Sequence, residues 1–313
     1  MTPSTSSGTA GGGRRPSRWA WLGRLWRLST GRFGLLIVAI ILLTALVAQF
    51  WTPFDPQKTD ISQRWLPPGW PHVLGTDGTG RDILSLLMAG AGTAVWVAVG
   101  AGLIATVIGI ALAALGALTA RWVRESVAVF VDILIAFPVL LIAMMISAIW
   151  GGSLWVVVWS VGIGFGVNIA RVTRPELRRV LHSDFVLAGR ASGLTLWQNL
   201  VRHLMPNVAP VFIVQLSWGM AVAVLAEAGL SYLGFGAPVT EPSWGLLLAE
   251  LQQYITVYPL SVLWPGLAIT LTVLGLNLLG DALREATDPT LSRGRDPLAP
   301  PRAAIRHVPG VVG

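Results

Sequence analysis

Apolar positions in this chain are pooled into long runs rather than spaced along amphipathic faces. Residues 34–50 are apolar apart from Thr44 and Gln49, and no charged residue stands between Ile83 and Ala120. Further runs cover 126–150 with Asp132 as the one charge, 154–170, 208–229 with Glu227 near its end, and 260–280. A bilayer core about 30 Å thick is crossed by roughly 20 helical residues. The pattern therefore predicts an all-α membrane protein with six transmembrane helices. Within the second run, Ala89-Gly90-Ala91-Gly92 reads as a break, giving a short surface helix before Gly92 and a true span from about 96 to 118. Pro138 and Pro265 are expected to kink or interrupt their helices.

The polar segments divide the chain further. Residues 1–13 are small, polar and glycine-rich, a composition expected to stay disordered. Trp19, Leu22, Leu25 and Trp26 then recur at helical spacing among arginines, which suits an amphipathic helix lying on the inner membrane surface. A cleavable signal peptide fits less well, because the following apolar run is too long and no A-x-A site follows it. The expected organisation is a tail over 1–33, a six-span membrane region over 34–289 with a long polar loop at 171–207, and a second tail over 290–313.

Charge sets the orientation. Only 12% of the 313 residues are charged, against about a quarter in soluble chains, while 54% are hydrophobic. Of the 22 lysines and arginines, all but Lys58, Arg64 and Arg81 fall in segments that are cytoplasmic if the amino terminus is inside. The positive-inside rule then puts both termini in the cytoplasm. The same rule accounts for the net charge of +7 without nucleic acid, for which no recognition-helix or RNP pattern is present. Trp51, Trp122, Trp150 and Trp155 lie at predicted span ends, where indoles favour the headgroup layer. With no cysteine and four dispersed histidines, neither a disulfide framework nor a metal site is expected.

Little in the chain suggests catalysis. Gly75-Thr76-Asp77-Gly78-Thr79-Gly80-Arg81-Asp82 resembles a phosphate loop superficially but lacks the Lys-Ser/Thr pair that holds phosphate and magnesium. Its acidic residues do not occupy calcium-loop positions either. Any ATP-driven work would need a partner chain. The loop over 171–207 is too long for a simple connector. Helix is supported after Pro175, Asp184 is a candidate cap for another helix, and Gly189 and Gly193 are four apart. That spacing admits two readings: a small helical face for close docking of a soluble partner, or glycines that end or loosen a helix.

Four segments together carry a resemblance. The loop from Leu187 to Pro206 is similar to the signature of permease subunits of binding-protein-dependent ABC importers, Glu-Ala-Ala, three residues, Gly, nine residues, Ile-x-Leu-Pro. Ala188, Gly193 and Pro206 match it; Leu187 replaces the Glu, Gly189 the second Ala, His203 the Ile and Met205 the Leu. Residues 74–91 (LGTDGTGRDILSLLMAGA), 225–248 (LAEAGLSYLGFGAPVTEPSWGLLL) and 276–289 (LNLLGDALREATDP) resemble three further stretches of the C-type subunit in the dipeptide, oligopeptide and nickel class. The resemblance covers roughly 33–291. It implies a type I importer permease fold and a heterodimer with a second permease subunit. It also implies two cytoplasmic ATPase subunits that bind the ATP and magnesium, and an extracytoplasmic solute-binding protein, all at a bacterial inner membrane. Leu187, Ala188, Gly189, Gly193, His203 and Pro206 would form the ATPase-coupling segment. Gly75, Thr76, Asp77, Gly80, Arg81 and Asp82 would form an extracytoplasmic motif near the binding protein.

Three residues within the spans, Asp132, Pro138 and Glu227, stand apart as pathway or interhelical candidates. Asp132, six residues before Pro138, is a transport candidate as an intramembrane carboxylate, or a shallow interhelical partner near the inner end. Glu227 borders the pathway, or pairs with Arg81, which is also a candidate partner of Asp82. A different class of protein, a self-sufficient ion-coupled carrier using Asp132 and Glu227, is the competing expectation. Peptides or a related solute such as haem are the expected cargo.

Overall fold

The computed structural model describes residues 25–184, 186, 189, 192–195, 198 and 205–287, the side chains of 205–207 and 287 excepted. Eight long helices are assigned among them: α1 (Ser29–Ala48), α2 (Ile83–Leu118), α3 (Arg121–Ala136), α4 (Val139–Trp150), α5 (Leu154–Leu181), α6 (Met205–Tyr232), α7 (Trp244–Gln252) and α8 (Pro259–Thr287). Five of these, α1, α2, α5, α6 and α8, are long and apolar enough to cross a membrane, and α3 with α4 makes a sixth span only as a broken pair.

The expected break in the second run is corrected, and the expected interruption at Pro138 is found. The Ala-Gly-Ala-Gly stretch does not break the second run, for α2 continues through it for 36 residues, about 54 Å at helical rise. Gly90 is small for a packing reason. A Cβ there would sit 2.6 Å from the Trp244 ring, and the Trp244 indole N–H donates to the Leu87 carbonyl at 2.9 Å. The third run, in contrast, is not one straight span. Pro138 excludes the residue before it from the helical region, Phe137 turns extended at φ −92° and ψ 130°, and α3 and α4 meet at 75°. Pro265 falls inside α8 without interrupting it.

The bundle is organised around α5, the most buried of the long helices, and its largest partner is α2. The two approach closely through missing side chains. A Cβ on Gly162 or Gly166 of α5 would lie 2.8 or 2.7 Å from Ile104 or Ile108, and one on Gly109 of α2 would lie 2.7 Å from Ile169. Small residues four apart let helices pack where lipid offers no hydrophobic drive of its own. Val97, Ala101 and Ala105 of α2 and Val157, Val161 and Ile169 of α5 fill this core with Ala223 and Leu230 of α6. The first helix, α1, is peripheral and seats Gly34 against the backbone of α8 at Leu279. Leu25 belongs to the stretch read as an interfacial helix, yet it is buried against Ala282 and Ala286 of α8; Trp19 and Leu22 lie outside the described residues.

Candidate functional site

At the end of the bundle where α2 begins, residues 51–82, α7 and the loop after α6 form one platform. The GTDGTGRD segment is its keystone. Asp77 is buried and accepts from the Thr79 amide and hydroxyl, the Arg81 amide and Arg81 Nε, at 2.7 to 2.9 Å. Gly75 and Gly80 hold φ of +82° and +81°, a conformation open to glycine at little cost. Asp82 caps α2 by accepting from the Ser85 amide and hydroxyl. Its other oxygen lies 2.9 Å from Nδ1 of His72, whose Nε2 is 2.8 Å from Gln63. His72 is buried, and because its partners are nine and ten residues away no local motif marks its role in the sequence.

Arg81 does not pair with Asp82 or Glu227. It bridges Asp77 and Glu250 of α7. Burial works against its charge, but the two carboxylates outweigh burial and raise its pKa above the ordinary arginine value. Trp65 stacks on Tyr258 with ring centroids 4.3 Å apart and closes the platform toward α8. The motif's carboxylates and Thr76 thus face inward, with Thr76, Asp77 and Asp82 all at most 3% exposed, while Thr79 is exposed.

Glu227 ties the platform to α6. It is 1% exposed, and Oε1 accepts from Ser231 and from Ser243, each at 2.7 Å. Ser243 in turn caps α7 by accepting from the Gly245 and Leu246 amides, while Ser231 accepts from the Ala237 amide. One carboxylate oxygen therefore fixes the loop between α6 and α7 at both ends.

The opposite end carries the loop after α5. Leu187, Ala188 and His203 lie outside the described residues, as does the side chain of Pro206 in the first turn of α6. The remaining geometry is specific. Gly189 is helical, and its carbonyl accepts from the Leu194 amide at 3.1 Å across Gly193, whose φ is +82°. This is a Schellman closure with glycine in the left-handed position. Gly193 thus ends a helix and does not share a helical face with Gly189. Two residues later Thr195 and Gln198 exchange bonds, each amide donating to the other's side chain at 2.9 and 3.2 Å. That reciprocal pair is a capping box, and its T-x-x-Q spacing is visible in the sequence. The described residues of the loop thus show a glycine-closed helix end followed by a capping box. Val186, fully buried, anchors it among Ala113 of α2, Leu177, Val180 and Leu181 of α5 and Val208 of α6.

Asp132 is exposed on α3 before the bend and lines a cavity with Arg171, Arg174 and Arg178. It lies far in the fold from Glu227, at the other end of the bundle.

A bundle of broken and unbroken spans, with a capped platform at one end and an anchored loop at the other, has the form of a polytopic transport subunit. The chain belongs to the binding-protein-dependent transport system inner membrane component family, matched over residues 105–293. Residues 17–68 match the N-terminal transmembrane domain of oligopeptide transport permease C. It is thus an inner-membrane, multi-pass, non-catalytic permease subunit of the peptide/nickel class of ABC importers. A Brucella suis protein named as a permease of a peptide transport system is 35% identical over 271 residues, 86% of this chain and 90% of the relative. The Escherichia coli K12 nickel transport system permease protein NikC is 33% identical over 260 residues, 83% and 94% of the two chains. The fold is similar to a chain of the MetNI methionine ABC transporter in an inward-facing crystal form, with TM-score 0.54 and 18% identity, covering 65% of this chain and 97% of that one.

Proposed function

We propose that this subunit imports dipeptides, oligopeptides or a chemically related solute by alternating access, driven by two ATPase subunits that dock on the loop around Gly189 and Gly193. The observation that carries this reading is the anchoring of that loop. Val186 packs against α2, α5 and α6 together, so a force applied to the loop reaches three helices through one cluster. ATP binding shifts the permease only by its differential affinity for two states, and a rigid anchored loop transmits that difference. Leu187 in place of the family's Glu removes a charge from the contact, not the contact.

In this reading the termini and the loop are cytoplasmic, as the basic residues favour. A second permease subunit completes the pathway, and a solute-binding protein docks on the platform. GTDGTGRD serves that docking by holding the platform rigid rather than by direct contact, since its carboxylates are consumed internally. The ion-coupled alternative is disfavoured because Glu227 is enclosed by two serines and a helix cap.

Val186→Asp tests the coupling. It sets a charge in a fully buried apolar cluster and is expected to abolish solute-stimulated ATP turnover of the reconstituted importer while the permease pair still co-purifies. Full stimulated turnover in that variant would remove the anchored-loop account. Competition of labelled dipeptide uptake by peptides, haem and nickel ions then identifies the solute class; no competition by any peptide contradicts the peptide reading.

A further inference from the structure

A cavity of about 490 Å³ opens between α3 and α5, at the end of the bundle opposite the platform. Arg171, Arg174 and Arg178 line it, one helical turn apart along α5, so their guanidinium groups converge on one space. Arg124 of α3 lies close enough to repel Arg178, as does Arg174. The facing wall is apolar, with Leu112, Val127 and Val131.

These cations are poorly neutralised. Arg174 and Arg178 each reach only a backbone carbonyl, of Arg124 and Gly116, at 3.4 Å, beyond the usual hydrogen-bond distance. Arg174 Nε is buried and has no partner among the described residues. Among the described residues Asp132 is the one carboxylate in the lining, and it makes no ion pair with them. Insertion bias explains basic residues at this end of the bundle. It does not explain three of them turned into one cavity, where mutual repulsion is largest.

The geometry points to a binding site for a phosphate-bearing anion in this cavity, held by Arg171, Arg174 and Arg178. Guanidinium groups match phosphate oxygens bidentately, and Arg174 Nε supplies a donor that none of the described residues uses. The apolar wall suits the methylene groups of a phosphate ester. Two sources share this chemistry, the headgroup of an anionic phospholipid, for which basic pockets between spans are suited, and free phosphate. The inference needs only that the chain spans a membrane; it stands or falls separately from ATPase coupling.

The test uses the full chain in phosphatidylcholine nanodiscs, with phosphatidylglycerol or inorganic phosphate as the probe. Arg174→Gln is expected to weaken binding about tenfold, the effect of losing a charge-assisted hydrogen bond. Asp132→Asn removes the opposing carboxylate and is expected to tighten binding about threefold, a gain that misfolding does not produce. Arg121→Gln, on a side chain 83% exposed and paired with Glu125, is expected to leave binding unchanged. This pattern with phosphatidylglycerol assigns the lipid headgroup, and with inorganic phosphate alone it assigns the free anion. Binding of neither probe, or equal binding by wild type and both cavity variants, overturns the site.

Discussion

Gly193 and Glu227 show how a residue's role follows from its backbone and partners more than from its type. At φ +82° Gly193 has open space around it, so substitution is opposed by the backbone conformation and not by a clash. Gly193→Ala is expected to loosen the helix end by about 1 kcal/mol and to lower stimulated ATP turnover severalfold. An unchanged rate would show that the turn does not transmit. Glu227→Gln keeps an oxygen acceptor for Ser231 and Ser243, so it is expected to retain transport, whereas Glu227→Leu leaves two buried hydroxyls without their partner at a cost of about 1–3 kcal/mol each. Loss of transport in Glu227→Gln, with the protein still folded, would restore a proton-carrying role. Both residues were identifiable in the sequence as candidates. Their roles were not, because the Ser243 that completes the Glu227 knot is sixteen residues away, and because four-residue spacing describes a helical face only if the helix continues.

At the scale of elements, hydropathy located the spans but not their ends or joints. Charge-free sequence from Ile83 to Ala120 fits a single long helix as well as a broken one. What decided between them was Trp244 filling the space over Gly90, a contact between elements more than 150 residues apart. Pro138 was readable as a joint because its effect on Phe137 is local. The pairing of α2 with α5 was hidden for the opposite reason: Gly162 and Gly166 look like loose apolar sequence until Ile104 and Ile108 are set against them. Gly166→Ala is expected to destabilise the protein by about 1–3 kcal/mol through overpacking, measured as a lower unfolding temperature in detergent. Adding Ile108→Ala should recover part of that loss. Additive destabilisation by the two changes would mean that the glycine and the isoleucine do not oppose each other.

For the whole molecule, the membrane and the partners organise the chain. The absence of cysteine makes orientation directly measurable with single introduced thiols. Thr79→Cys on the platform is expected to react with a membrane-impermeant maleimide in intact spheroplasts, and Arg121→Cys only after permeabilisation. The reverse pattern would invert the proposed topology and put the anchored loop outside. The central claim is that this permease moves solute only when ATPases drive it through that loop. The most direct measurement is solute uptake by proteoliposomes containing the permease pair, with and without the ATPase subunits and ATP, in the presence of the binding protein. The account predicts uptake only with ATPases and ATP together, and none in the Val186→Asp variant; uptake by the permease alone under an ion gradient would contradict it.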